Sequence, residues 1–186
     1  MKQLLCTLLI ISLVLSFCAC GKPTAEMPPS EDVPLEIRSA YSLTVSEVSD
    51  SVEAMMLGYH LIVKTSSGYT SSIADAPTAL QAYDSAPVLN IQPTPLSHRA
   101  PFDAVLLFSV VPELVVMRCW EKSLWTDADA ENKAETITVT KGPDGSFAVK
   151  LKEGEYLYEV YVQWPSAAEL SGSAYYTFKS TSAIYE

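Results

Sequence analysis

The chain is expected to fold as an all-β protein, a sandwich of two sheets of antiparallel strands, and three observations point there. The stretch Glu155 to Trp164 alternates, with Tyr156, Tyr158, Val160, Val162 and Trp164 on one side and Leu157, Glu159, Tyr161 and Gln163 on the other. That is the two-residue period of a strand with one apolar face. Roughly eight to ten short strands of this kind in all make up the body, with almost no helical spacing. Gly, Pro, Asn and Asp separate them, the punctuation of an antiparallel sandwich.

Taken in order, Leu35 to Val45 places Leu35, Ile37, Ser39, Tyr41, Leu43 and Val45 on one face and reads as an opening strand. Ser46 to Met56 fits a helix, a turn or a strand equally well. Gly58 to Thr65 puts Tyr59, Leu61 and Val63 on one face; Ser66-Ser67-Gly68 marks a turn, and Tyr69 to Ile73 is the returning strand. Ala74 to Ser85 reads as loop with one helical turn. Val88 to Ile91 is a short strand, ended by Pro93 and Pro95. Phe102 to Val110 is the most apolar run of the body and is expected as a central strand, with Glu113 to Trp120 as its hairpin partner or neighbour. Glu121 to Ala134 is acidic and polar, a long exposed loop carrying Trp125. Glu135 to Thr140 reads as one strand. Lys141 to Gly145 is a tight turn in which Gly145 supplies the positive φ. Ser146 to Leu151, the opening stretch, and Ala174 to Ser180 complete the set.

The sheets contain no Cys-Trp-Cys spacing, so a likeness to immunoglobulin domains is one of layout only. Residues 35–186 are expected as a single domain, because the one linker precedes residue 35.

The amino terminus has a different character. Met1-Lys2-Gln3 is followed by an apolar run from Leu4 to Phe17, too short for an ordinary spanning helix and of the length of a signal-peptide core. It ends in Phe17-Cys18-Ala19-Cys20-Gly21, which resembles the lipobox of bacterial lipoproteins, with Cys20 as the lipidated first residue of the mature chain. Phe17 stands where that motif usually has Leu. Residues 1–19 are then the signal and 20–34 a tether, in which Pro23, Pro28, Pro29 and Pro34 leave little to bury. An uncleaved anchor and cleavage by an ordinary signal peptidase remain the alternatives. Buried acyl chains hold a protein to a bilayer at roughly 0.8 kcal/mol per CH₂. The expected location is the extracellular side of the cell membrane, with the bilayer engaged through Cys20.

Cysteine usage agrees. Only Cys119 lies beyond residue 20, so the body has no intrachain disulfide, and a domain of this size can do without one. Cys119 falls in an apolar strand and reads as a small buried hydrophobe, with Arg118 on the opposite face. The chain has 12 Lys plus Arg against 22 Asp plus Glu, a formal net charge of −10. Loss of Lys2 makes it one unit more negative. That balance argues against nucleic acid and anionic lipid headgroups as partners.

Three segments together carry a family resemblance: Arg118-Cys119-Trp120 with Trp125; Gly154 to Val160 with Trp164; and Gly172 to Phe178. They resemble a poorly characterised domain of exported lipoproteins and sensor-like membrane proteins in clostridia-related Gram-positive bacteria. The likeness spans Tyr59 to Phe178. Gly58-Tyr59-His60 and Pro77 to Leu80 match only loosely two further motifs of that group, so a ligand served by those motifs is in doubt here. The resemblance implies an extracytoplasmic all-β domain and assigns no activity.

No residue pattern points to catalysis. His60 and His98 lack the convergent partners a zinc site needs. No Gly-x-Ser-x-Gly or Ser-x-x-Lys context prepares a serine for attack. Asp127, Asp129 and Glu131 alternate as calcium ligands do, but the sixth and twelfth positions are Asn132 and Thr138, not the Gly and Glu of a calcium loop. No catalytic residue, cofactor or metal ligand is therefore named. The aromatic residues are the better lead, since an exposed ring beside polar groups can bind a peptide or glycan. Trp120, Trp125 and Tyr175 are the candidate ligand surface, while Tyr158 and Trp164 are expected in the core. The expectation is a non-catalytic binding or sensing module whose partner is a peptide, a glycan or a membrane protein. A structural component of an envelope assembly and a wall-directed hydrolase are the other readings.

Overall fold

The structure, a computed structural model, describes residues 39–65, 68–75, 77–92, 101–165 and 170–182. The expected signal, Cys20, the tether, residues 35–37 and His98 lie outside these.

Two sheets face each other. The first takes its strands in the order β2 (Ser51–Glu53), β1 (Leu43–Glu47), β6 (Phe102–Phe108), β10 (Phe147–Leu151), β9 (Val139–Lys141). The second runs β4 (Gly68–Ala74), β3 (Met55–Thr65), β12 (Leu170–Ser182), β11 (Glu155–Trp164), β7 (Leu114–Glu121), β8 (Glu135–Ile137), with β5 (Val88–Ile91) beside the far end of β12. All pairings are antiparallel except that of β5 with β12, which is parallel. The architecture is thus the all-β sandwich that the alternation predicts.

The space between the sheets is filled by the inward set of each strand. Tyr158, Val160, Val162 and Trp164 of β11 meet Tyr176 and Phe178 of β12, Met117 and Cys119 of β7, and Leu43, Val45, Phe102, Leu106, Phe147 and Val149 from the other sheet. Tyr158 stacks on Phe178 at 4.8 Å between ring centroids. Polar tips find partners, as burial requires: Tyr176 donates to the Tyr41 carbonyl at 2.6 Å and Trp164 to the Val110 carbonyl at 3.0 Å. Burial pushes the Tyr158 and Tyr176 hydroxyls upward from their ordinary pKa.

Several expectations need correction. The opening strand is Leu43–Glu47, and residues 39–41 turn instead of extending. Ser46 to Met56 resolves into the end of β1, the short strand β2 and the start of β3. β6 is central, but β7 is not its hairpin partner. Pro112 is buried between them, and the Glu113 N–H reaches the Gln163 carbonyl, so the chain crosses to the other sheet. Glu135 to Thr140 is not one strand either. It breaks at Thr138, leaving β8 in the larger sheet and β9 in the smaller. Glu121 to Ala134 is largely exposed as expected but not plain loop: it folds through two 3-10 turns, Lys122–Leu124 and Ala130–Lys133, and buries Ala130.

Gly172 explains a close approach. Its φ is +123°, and a Cβ there would stand 1.9 Å from the His60 carbonyl oxygen of β3. Gly68, at φ +133°, has nothing within 4 Å of that position. Gly172→Ala is therefore expected to lower the unfolding free energy by more than about 3 kcal/mol, since backbone must move. Gly68→Ala should cost only the left-handed penalty of about 1–2 kcal/mol. Chemical denaturation of the two variants beside the parent checks the difference.

Candidate functional site

The outward side chains of the larger sheet line up in rows, set by the pairing register. Trp120, Leu157 and Lys179 form one row. Arg118, Glu159, Thr177 and Met55 form the next. Then come Val116, Tyr161, Tyr175 and Gly58, and after them Leu114, Gln163, Ser173, His60 and Ile73.

The first two rows are covered. Leu57, Trp120 and Leu157 pack under Ala79, Ala82, Ala86 and Ala130, which come from the 77–87 and 121–134 segments. The Trp120 indole N–H donates to the Ala130 carbonyl at 2.8 Å and that of Trp125 to the Trp120 carbonyl at 3.1 Å. The Trp125 ring lies 5.8 Å from that of Tyr83, so one segment rests on the other. Beneath them Glu159 is buried, with 6% of its side chain exposed. One oxygen accepts from Arg118 Nε at 2.8 Å and the other from the Ala79 N–H at 3.4 Å. Arg118 also reaches Glu131 at 3.0 Å and lies over the Trp120 ring at 4.7 Å. Burial by itself would lower the Arg118 pKa, but the hydrogen bond and charge of Glu159, with Glu131 behind them, outweigh it and raise it. The ion pair thus reaches both segments, beside the apolar packing and the Trp120–Ala130 bond that also fasten them to the sheet.

The remaining rows are open. Tyr69, Ile73, Leu114, Val116 and Tyr175, half of the exposed large hydrophobic side chains among the described residues, share this one region. Tyr161 and Tyr175 sit directly across from each other with ring centroids 5.0 Å apart. No carboxylate belongs to these rows, and Lys64 stands at their rim opposite Tyr69. The open rows set exposed apolar side chains among the uncharged polar groups Gln163 and Ser173 and the exposed His60, and a cluster of exposed apolar side chains marks a contact region.

The three aromatic residues singled out from the sequence do not converge. Trp120 is closed off, 1% exposed, and cannot present a ring. Trp125 is half-buried in the covering segment. Tyr175 is 38% exposed and belongs to the open rows. Tyr161, its partner, went unnamed: alternation places it outward, but only the register with β12 puts it beside Tyr175.

The other candidates are accounted for by local contacts. Asp127 accepts from Lys133 Nζ at 2.6 Å and from the Asp129 N–H at 2.8 Å, while Glu131 serves Arg118. Among the described residues no group of three His, Cys, Asp or Glu side chains is placed to hold a metal ion. His60 is exposed on β3. Two shallow grooves lie among the described residues. One, of about 350 Å³, lies between Tyr41, Glu53, Met55, Pro87 and Tyr176. The other, of about 700 Å³, is lined by Glu121, Lys122, Glu153, Glu155 and Tyr156.

No family model, no curated protein and no solved structure matches the chain.

Two outcomes follow from this geometry. Arg118→Met leaves the Glu159 carboxylate buried without its cation. A loss of about 3 kcal/mol is expected, with a smaller loss for Glu159→Gln/Arg118→Met together, read by denaturation of the single and double variants. Cys119 is fully buried, and burial pushes its thiol from the ordinary 9.0 to about 11. Between those values the unfolded chain binds fewer protons than the folded one, so stability falls as pH rises from about 9 and levels beyond about 11. The thiol's share is about 2–3 kcal/mol, and it should be missing from the pH profile of Cys119→Ala.

Proposed function

We propose that this chain is a membrane-tethered extracytoplasmic lipoprotein, lipidated at Cys20, whose β-sandwich is a non-catalytic module that binds another macromolecule of the cell envelope. The observation that carries the binding role is the open half of the larger sheet. The strip with Tyr161, Tyr175, Leu114, Val116 and Ile73 at its surface spans several strands of an open sheet face, and neither groove described above lies on it. Small ligands favour concave, largely enclosed sites, and an open sheet face suits a protein or polymer surface better. Among the readings, this shape favours an accessory component of an envelope assembly over a sensor with a small-molecule pocket. The groove beside Tyr41 and Tyr176 supports the sensor reading as the second choice, because it sets aromatic and Met side chains around the single carboxylate of Glu53. The lipid reading rests on Ala19-Cys20-Gly21 after the apolar leader and on the proline-rich segment behind it.

Cys20→Ala should leave an unprocessed precursor or release the protein from membranes, seen by fractionation and by the mass of the mature amino terminus. Normal cleavage with unchanged membrane attachment would rule the lipid anchor out. Independently, Tyr161→Ala/Tyr175→Ala should abolish pull-down of envelope partners by the tethered protein while its far-ultraviolet spectrum stays that of the parent.

A further inference from the structure

The strands at the borders of the two sheets differ in one respect. An edge strand directs alternate N–H and C=O groups outward, and proteins blunt such edges with charge, brevity or a cover. β2, β8 and β9 are each three residues long and carry Glu53, Glu135 and Lys141. β5 is covered: the Asn90 N–H donates to Asp50 at 2.9 Å and the Gln92 N–H to Ser49 at 3.1 Å. β4 has none of these devices. It is seven residues long, Gly-Tyr-Thr-Ser-Ser-Ile-Ala, without charge or proline, and its register with β3 is unbroken. Among the described residues no strand pairs with its outer side.

We propose that β4 pairs antiparallel with the β4 of a second copy of this chain, about a two-fold axis at Ser71. The strand is self-complementary in that register. Tyr69 stands opposite the partner's Ile73, and Ile73 opposite the partner's Tyr69, on the outward face. Aromatic and β-branched side chains directly across strands stabilise a sheet. Thr70 meets the partner's Ser72 on the other face, a hydroxyl pair of the kind that hydrogen-bonds across strands. Charge selects this edge as well. Each copy is strongly acidic, at −10, so like charges oppose most approaches. β4 itself brings no carboxylate to the seam, Asp75 following only beyond its end, whereas β2 and β8 each carry a glutamate within the three residues of the strand. The same pairing gathers Tyr69 and Ile73, exposed by 72% and 64%, into one continuous outward surface. This goes beyond the binding role above and does not depend on the lipid at Cys20.

The test is a crosslink in the full-length chain, in membranes. At the axis, Cα atoms of the paired Ser71 residues lie about 4.5–5.5 Å apart, inside the range of about 4.4–6.8 Å that a disulfide spans. Under mild oxidation Ser71→Cys should form a disulfide dimer about tenfold faster, or more, than Val48→Cys, because pairing raises the local concentration of the thiols. Val48 is 92% exposed and away from this edge. In the purified full chain in detergent, the parent should sediment as a dimer that dissociates on dilution. Tyr69→Lys/Ile73→Lys should sediment as a monomer with the parent's far-ultraviolet spectrum. Equal crosslinking rates for Ser71→Cys and Val48→Cys, or a crosslink from Ser71→Cys to a different protein and not to itself, would overturn the proposal. So would a parent that is monomeric at every concentration. None of these outcomes bears on the Cys20→Ala result, so failure here and failure of the lipid anchor can be told apart.

Discussion

The pairing of Glu159 with Arg118 is the interaction on which the covered half of the larger sheet depends. β11 lies between β12 and β7, and its inner side chains close the main core. Its outer side would be an ordinary wet sheet face were it not for Leu157 and Glu159. Burying a carboxylate is costly unless a cation and hydrogen-bond donors meet it. Here Arg118 supplies the cation and the Ala79 backbone a donor. Arg118 continues to Glu131 and covers the Trp120 ring. One charged group thereby ties together a strand, its neighbour and two distant segments, and a second small core forms beneath them. The sheet is left with a closed half and an open half, and the open half is where a partner has room.

Local patterning carried much of this. The bounds of β11 read from alternation agree with Glu155–Trp164. Gly145 turns as its sequence context implies, with a φ of +84°. Cys119 is buried and Arg118 faces outward from the same strand. What alternation does not encode is sheet membership. Phe102–Phe108 and Leu114–Glu121 are both good strands close in sequence, yet they belong to different sheets, because Pro112 and the Trp164–Val110 bond steer the link across. Thr138 is polar and exposed, and nothing in Glu135 to Thr140 shows that the chain changes sheets there. The parallel contact of Val88–Ile91 with β12 has no local signature at all.

The site was less legible than the fold for the same reason. Trp125 sits in a polar segment that leaves its exposure undecided, and Tyr83 meets it from a segment roughly forty residues away, beyond any window of local pattern. Tyr161 and Tyr175 become a pair only when β11 and β12 are in register. Exposure of a row depends on what lies over it, and the covering segments are held by Arg118, Glu159, Trp120 and Leu157 acting together across β7 and β11, which no single strand's pattern reveals.

The crossings between sheets also bear on the order in which the chain can organise itself. β3 and β4 are neighbours in sequence and can join as a hairpin without any later segment. The other flank of β3 belongs to β12, near the carboxyl end, and β1 must wait for β6. Contacts of such long sequence separation close slowly. Until β12 docks, the β3–β4 ribbon therefore has two unsatisfied flanks, and the arrival of Leu170–Ser182 is the event that retires one of them and lets the larger sheet assemble.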